Sequence, residues 1–75
     1  MLVYNPAMPS SVIRYFKHDP QSAKLLVVFQ TGKRYRYLAV PAEIAEGMRL
    51  AFSKGEYFNE HIRDRFRFER LDAAE

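Results

Sequence analysis

The 75-residue sequence contains no cysteine, no tryptophan and only two histidines. Without cysteine it has no disulfide, no thiolate metal ligand and no thiol nucleophile. His61 has no partner histidine at helical spacing and His18 falls at a strand end, so the sequence offers no metal site and no cofactor is expected. No apolar run approaches the ~18 residues of a membrane span. The opening MLVYNPAMPSS lacks the basic region and long apolar stretch of a secretory signal, so no membrane partner and a cytoplasmic location are expected. Acid is scarce in one half: residues 1–40 carry only Asp19 against Arg14, Lys17, Lys24, Lys33, Arg34 and Arg36, a net +5, whereas residues 41–75 carry six bases and eight acids, a net −2. A basic half can attract nucleic acid or another polyanion; bases on strand edges also serve simply to discourage aggregation.

What is present centres on Lys24 to Val40, KLLVVFQTGKRYRYLAV, which reads as a β-hairpin. Leu25, Val27 and Phe29 alternate with Lys24, Leu26, Val28 and Gln30, the period of two that a strand requires. Thr31-Gly32 supplies the turn, since glycine takes positive φ at no steric cost. Arg34-Tyr35-Arg36-Tyr37 then alternates cation with aromatic, and Pro41 stops the ladder because it has no N–H to donate. Upstream, SSVIRYFKH reads as a strand with apolar residues on both parities, which a bulge or a strong twist near Arg14 would reconcile. Asp19-Pro20-Gln21-Ser22 is the turn that makes the first two strands antiparallel neighbours.

From Pro41 to Phe52 the period changes to 3.6, with Ile44, Met48 and Ala51 on one stripe, Ala45 and Phe52 on its flank, and Gly47 at its edge, where it would let the helix approach the sheet. Leu50 is the misfit among the polar residues. Ser53-Lys54-Gly55 reads as a helix ending with Gly55 as a left-handed cap. Phe58 and Ile62, four apart, share a face of a short second helix near Tyr57–Ile62, and the alternating DRFRFERL ends the domain as a last short strand or an extended arm. The expected fold is therefore α+β: an antiparallel three-stranded meander (Val12–His18, Leu25–Gln30, Arg34–Ala39) packed on one amphipathic helix, followed by a short second helix and a C-terminal arm. Residues 1–9 form a flexible leader, 10–71 one domain and 72–75 a frayed tail. The expected core is Leu25, Val27, Phe29, Ile44, Met48, Phe52, Phe58 and Ile62. A domain of this size buries only roughly 60% of its unfolded-chain surface, so its core must be efficient or an oligomer interface must help it.

The ordered set Ser10, Ser11 and Ile13; Asp19, Pro20 and Ser22; Leu25, Val27 and Phe29; Gly32, Tyr35 and Tyr37; Val40 and Pro41; and Ser53, Gly55, Tyr57, Phe58, Asn59, Ile62 and Arg63 resembles the KTSC domain, over roughly Ser10 to Phe66. That family takes its name from the C-terminus of some lysyl-tRNA synthetases and also occurs as a stand-alone bacterial protein. The resemblance, through its synthetase context, implies an RNA-binding role, by association rather than by mechanism. This chain departs from the family pattern in two places: Leu26 and Val28 stand where polar residues are common, and His18 stands where an aromatic commonly precedes the first-turn aspartate.

Catalysis has little to work with. Ser10, Ser11, Ser22 and Ser53 sit at turn or cap positions, and an imagined Ser53–His61–Asp64 arrangement has no nucleophile elbow around its serine, so the chain is read as a non-enzyme. The constellation that carries function is Lys33-Arg34-Tyr35-Arg36-Tyr37, extended by Arg63, Arg65 and Arg67 if the tail lies beside the hairpin: strand aromatics stack unpaired bases and flanking cations follow phosphates. A three-residue loop puts Tyr35 and Tyr37 in the core with Leu25 and Val27, leaving Arg34 and Arg36 outward; a two-residue loop puts the tyrosines with Leu26 and Val28. The leading expectation is a non-catalytic module that binds tRNA-like or single-stranded RNA. The alternative is a protein-interaction or homodimerisation module with Leu26, Val28, Leu50, Phe66 and Phe68 at its interface, because Leu26 and Val28 need either a second copy or the C-terminal arm to cover them.

Overall fold

The computed structural model describes residues 12–71; the expected leader, Ser10 and Ser11, and the expected tail at 72–75 lie outside the described residues. Strand β1 (Ile13–Asp19) pairs antiparallel with β2 (Lys24–Phe29), β2 with β3 (Arg34–Tyr37), and β3 with β4 (Phe68–Arg70), in the order β1-β2-β3-β4. The expected meander is there, and the C-terminal arm extends it by a fourth strand. Helices α1 (Ala42–Leu50) and α2 (Lys54–His61) are inserted between β3 and β4.

Local chemistry fixes each connection. The register slips between Ile13, opposite Phe29, and Tyr15, opposite Val28, so Arg14 is the extra residue of a bulge. This puts Ile13 and Phe16 on one face and Tyr15 and Lys17 on the other. In the first turn the Asp19 carboxylate accepts from the Gln21 N–H (3.0 Å) and the Ser22 hydroxyl (2.9 Å). The hairpin loop has three residues. The Phe29 N–H donates to the Lys33 carbonyl and the Gly32 N–H to the Phe29 carbonyl, both at 2.9 Å, and Gly32 takes φ +97°. Leu25 therefore faces Tyr37, and Val27 faces Tyr35.

The helices begin and end differently from expectation. Pro41 is the residue before α1 rather than its first, and α1 stops at Leu50 with Ala51 extended. Gly55 is not a left-handed cap; it lies buried in the first turn of α2. Ser53 starts that helix, its hydroxyl accepting from the Glu56 N–H at 3.2 Å. The open carbonyls at the end of α1 are instead met by the Lys54 ammonium, which donates to Arg49 (3.1 Å) and Ala51 (2.8 Å). Because α1 ends early, Phe52 leaves the apolar stripe and is fully exposed, so its expected place in the core is not realised. Gly47 gives room to α2 rather than to the sheet: a Cβ there would collide with the Tyr57 hydroxyl, which donates to the Ile44 carbonyl at 2.9 Å.

Both helices cover the face carrying Leu25, Val27 and Tyr37, where these three join Ile13, Val40, Ala45, Met48, Phe58 and Ile62 in the core. Phe29 and Ile44, expected in the core, pack half-buried at its margin. Tyr37 and Val40 enter the core because the three-residue loop turns Tyr37 inward and the chain bends at Ala39 (φ +57°), bringing the Val40 N–H to the Ala23 carbonyl at 2.7 Å.

Candidate nucleic-acid interface

Residues paired across an antiparallel sheet share a face. On the side away from the helices the register gives three rows: Tyr15–Val28–Arg34, Lys17–Leu26–Arg36–Glu69, and Asp19–Lys24. Four cations, two carboxylates (Asp19 and Glu69) and one tyrosine therefore share this open face. Tyr15 is half exposed, Leu26 half-buried, and Val28 buried between its cross-strand neighbours. A shallow depression of about 390 Å³ is lined by Lys17, Asp19, Ser22, Lys24, Leu26 and Arg36. Arg36 is held in place by Glu69, whose Oε1 accepts from Nε at 3.1 Å and from the Nη2 amine at 3.0 Å. The Ser22 hydroxyl, and after it the Gln21 N–H, hold the Asp19 carboxyl below its ordinary range, so it stays ionised in the depression.

The Lys33–Tyr37 run is divided between the two faces. Arg34 and Arg36 lie on the open face; Tyr35 and Tyr37 point to the helix side, and Tyr37 is only 2% exposed. The three-residue loop decides this, and it removes Tyr35 and Tyr37 as stacking partners beside the two arginines. Lys33 and Arg63 line a separate recess of about 260 Å³ at the hairpin end of the helix side, with Phe29, Tyr35, Tyr37 and Phe58 as its walls. There burial pushes the Tyr37 phenol up to about 12, with Tyr35 adding to the effect and Arg63 opposing it. Arg65 and Arg67 are exposed between α2 and β4.

The five residues expected at one interface do not form one surface. Leu26 and Val28 lie on the open face, whereas Leu50 is exposed at the end of α1 and Phe66 packs half-buried against the core. Phe68 pairs with Tyr37 and so faces the helix side, its ring 5.4 Å from those of both Tyr35 and Tyr37. The arm therefore cannot cover Leu26 and Val28. Ser53 and His61 sit at opposite ends of α2, about 12 Å apart at 1.5 Å per residue, too far for a nucleophile and its base. His61 stacks on Tyr57 with ring centroids 4.4 Å apart. Among the described residues no three His, Asp or Glu side chains are placed to hold a metal ion, and no helix is long and apolar enough to cross a membrane.

Sequence reasoning missed Tyr15, Lys17 and Lys24 as members of the open face. The signal was there in the bulge at Arg14, which sets the phase of β1, but only the pairing shows which side that phase exposes.

Comparison with known proteins adds context. A family model described as KTSC domain matches residues 9–66. A lysine–tRNA ligase of Nostoc punctiforme is 38% identical over 61 residues, which cover 81% of this chain and 11% of that protein. The chain thus spans about a tenth of the ligases it matches. An uncharacterised protein of Stutzerimonas stutzeri is 37% identical over 67 residues, covering 88% of this chain and 94% of that one. The crystal structure of a KTSC domain protein from Yersinia pestis matches with a TM-score of 0.77 and 30% identity, covering 88% of this chain and 93% of that one.

Proposed function

The chain belongs to the KTSC domain family, and from that membership we propose that it is a small non-catalytic binding module, working in the cytoplasm, whose open sheet face holds tRNA-like or single-stranded RNA. The observation that carries this reading is the register that gathers Lys17, Lys24, Arg34, Arg36 and Tyr15 on the side of the sheet away from the helices. A sheet face with a stacking aromatic and cations spaced along neighbouring strands suits an unpaired strand, because phosphates meet the cations while a base lies on the ring. The relatives named lysine–tRNA ligase set a similar domain beside a tRNA enzyme and support the same class of partner. Labelled tRNA and oligouridine titrated at low and moderate salt test the reading, with an unrelated domain of equal net charge as control. We expect binding tighter than the control's that weakens as salt rises; binding no tighter than the control's would end it.

A second reading, a protein-interaction or homodimerisation module, draws on a different place. Leu50 is 66% exposed and Phe52 fully exposed at the corner between α1 and α2, an apolar pair that no described residue covers. Sedimentation over a range of concentrations tests self-association, and Phe52→Ser should abolish any dimer built on that corner.

A further inference from the structure

The recess on the helix side is a second, differently built place. Its walls are a closed cycle of four aromatic rings: Phe29–Tyr35 at 5.7 Å between centroids, Tyr35–Tyr37 at 6.3 Å, Tyr37–Phe58 at 5.6 Å and Phe58–Phe29 at 5.4 Å. All four contacts are edge-to-face, the packing that aromatic rings favour. Two cations, Lys33 and Arg63, stand on its rim. Arg63 is steadied by Asn59, whose Oδ1 accepts from its Nη1 at 2.7 Å.

The Tyr37 hydroxyl gives the recess a hydrogen-bond donor. Tyr37 is 98% buried, yet its hydroxyl has no hydrogen-bond partner among the described residues, whereas that of Tyr57 bonds the Ile44 carbonyl. No described side-chain polar atom is both occluded and unpartnered, so the hydroxyl keeps access to the recess it lines. With its phenol pushed up to about 12, Tyr37 remains a neutral donor throughout the physiological range.

We propose that this recess takes one unpaired nucleotide, its base against the aromatic wall with a polar edge on the Tyr37 hydroxyl and its phosphate on Lys33 and Arg63. The inference rests on the RNA-binding reading and adds to it a base-accepting subsite on the opposite side of the sheet from the strand-tracking face. A planar ring of donors and acceptors meets both the apolar wall and the accessible hydroxyl, and an anion on one side of it meets both cations. An aliphatic side chain would leave the hydroxyl unanswered. The hairpin end of the sheet is where a strand following the open face can pass to the other side, since Lys33 stands next to Arg34 in β3 but on the recess side.

The test is amide chemical-shift mapping on the full chain with adenosine 5′-monophosphate, uridine 5′-monophosphate, N-acetylphenylalanine and oligouridine. Either monophosphate should shift the amides of Thr31, Gly32, Lys33, Phe58 and Arg63 and leave those of Lys17 and Lys24 in place. Tyr37→Phe, which keeps the ring and the core, should weaken monophosphate binding about fivefold, the worth of one neutral hydrogen bond. Lys33→Ala with Arg63→Ala should weaken the monophosphates while leaving adenosine itself unaffected. Recess amides that respond to N-acetylphenylalanine and not to a monophosphate, or a Tyr37→Phe variant that binds as the parent does, would overturn the proposal. Oligouridine that shifts open-face amides alone would remove the recess and keep the RNA reading. Monophosphate in the recess without oligouridine binding would keep the site and remove the RNA reading.

Discussion

Gly47 shows how closely a single residue is set in this fold. A Cβ there would meet the hydroxyl and ring of Tyr57, whose hydroxyl donates to the Ile44 carbonyl. Alanine favours the helix by about 1 kcal/mol over glycine, but overpacking costs about 1–3 kcal/mol, so Gly47→Ala should lower stability in urea unfolding. A variant as stable as the parent would mean that Tyr57 moves aside freely. Asp19 gives a pH-dependent counterpart. Its carboxyl is held below the ordinary 3.8, chiefly by the Ser22 hydroxyl. A depressed acid contributes stability that is present above its unfolded pKa and is lost as pH falls through the folded one. The Asp19 contribution should therefore persist from neutrality to about pH 4 and disappear below. Ser22→Ala should raise the Asp19 midpoint in an NMR titration; an unchanged midpoint would remove the hydroxyl as its cause. Aromatic residues show what a sequence hides at this scale. Tyr35 and Tyr37 alternate with arginines as a binding strand would, but whether they stack bases or fill the core depends on one residue of loop length. The three-residue loop sends them to the core side and leaves Tyr15 as the aromatic of the open face.

Among the elements, the strands were legible where their period was unbroken and their neighbours adjacent in sequence. Strands β1, β2 and β3 follow from alternation and turn chemistry, and the pairing decides for a bulge over a strong twist at Arg14. Strand β4 was legible only as one of two alternatives, a last short strand or an extended arm, because three residues carry little period and its pairing with β3 depends on how two helices return the chain. The boundary between α1 and α2 was misread for a definite reason. Ser-Lys-Gly has the composition of a stop, but its serine caps the next helix and its lysine closes the last one. Ser53→Ala should thus cost about 1 kcal/mol, seen as a fall in the thermal midpoint. A cost near zero would place the start of α2 under packing control, through Gly55 and Phe58, rather than under its cap. Phe52 is exposed by the same boundary, and Phe52→Ser should change stability by less than about 0.5 kcal/mol.

At the scale of the whole molecule the two helices, both on one side, leave the sheet with a protected face and an open one. The protected face carries the core and the aromatic recess, and the open face carries Lys17, Lys24, Arg34 and Arg36 around Tyr15. The basic first half of the sequence foretold a charged surface, but not its division, since charge counts contain no register. Family membership fixes the fold and sets relatives beside tRNA ligases; the claim that the open face binds RNA stands on the placement of its cations. The salt dependence of oligouridine affinity tests that placement most directly. Four cations meeting phosphates of a single strand should give a slope of log K on log salt of about −3, and Lys17→Ala with Arg34→Ala should reduce its magnitude by about 1.4. Parent and double variant with the same slope would contradict the account, because the phosphates would then lie elsewhere than on the open face.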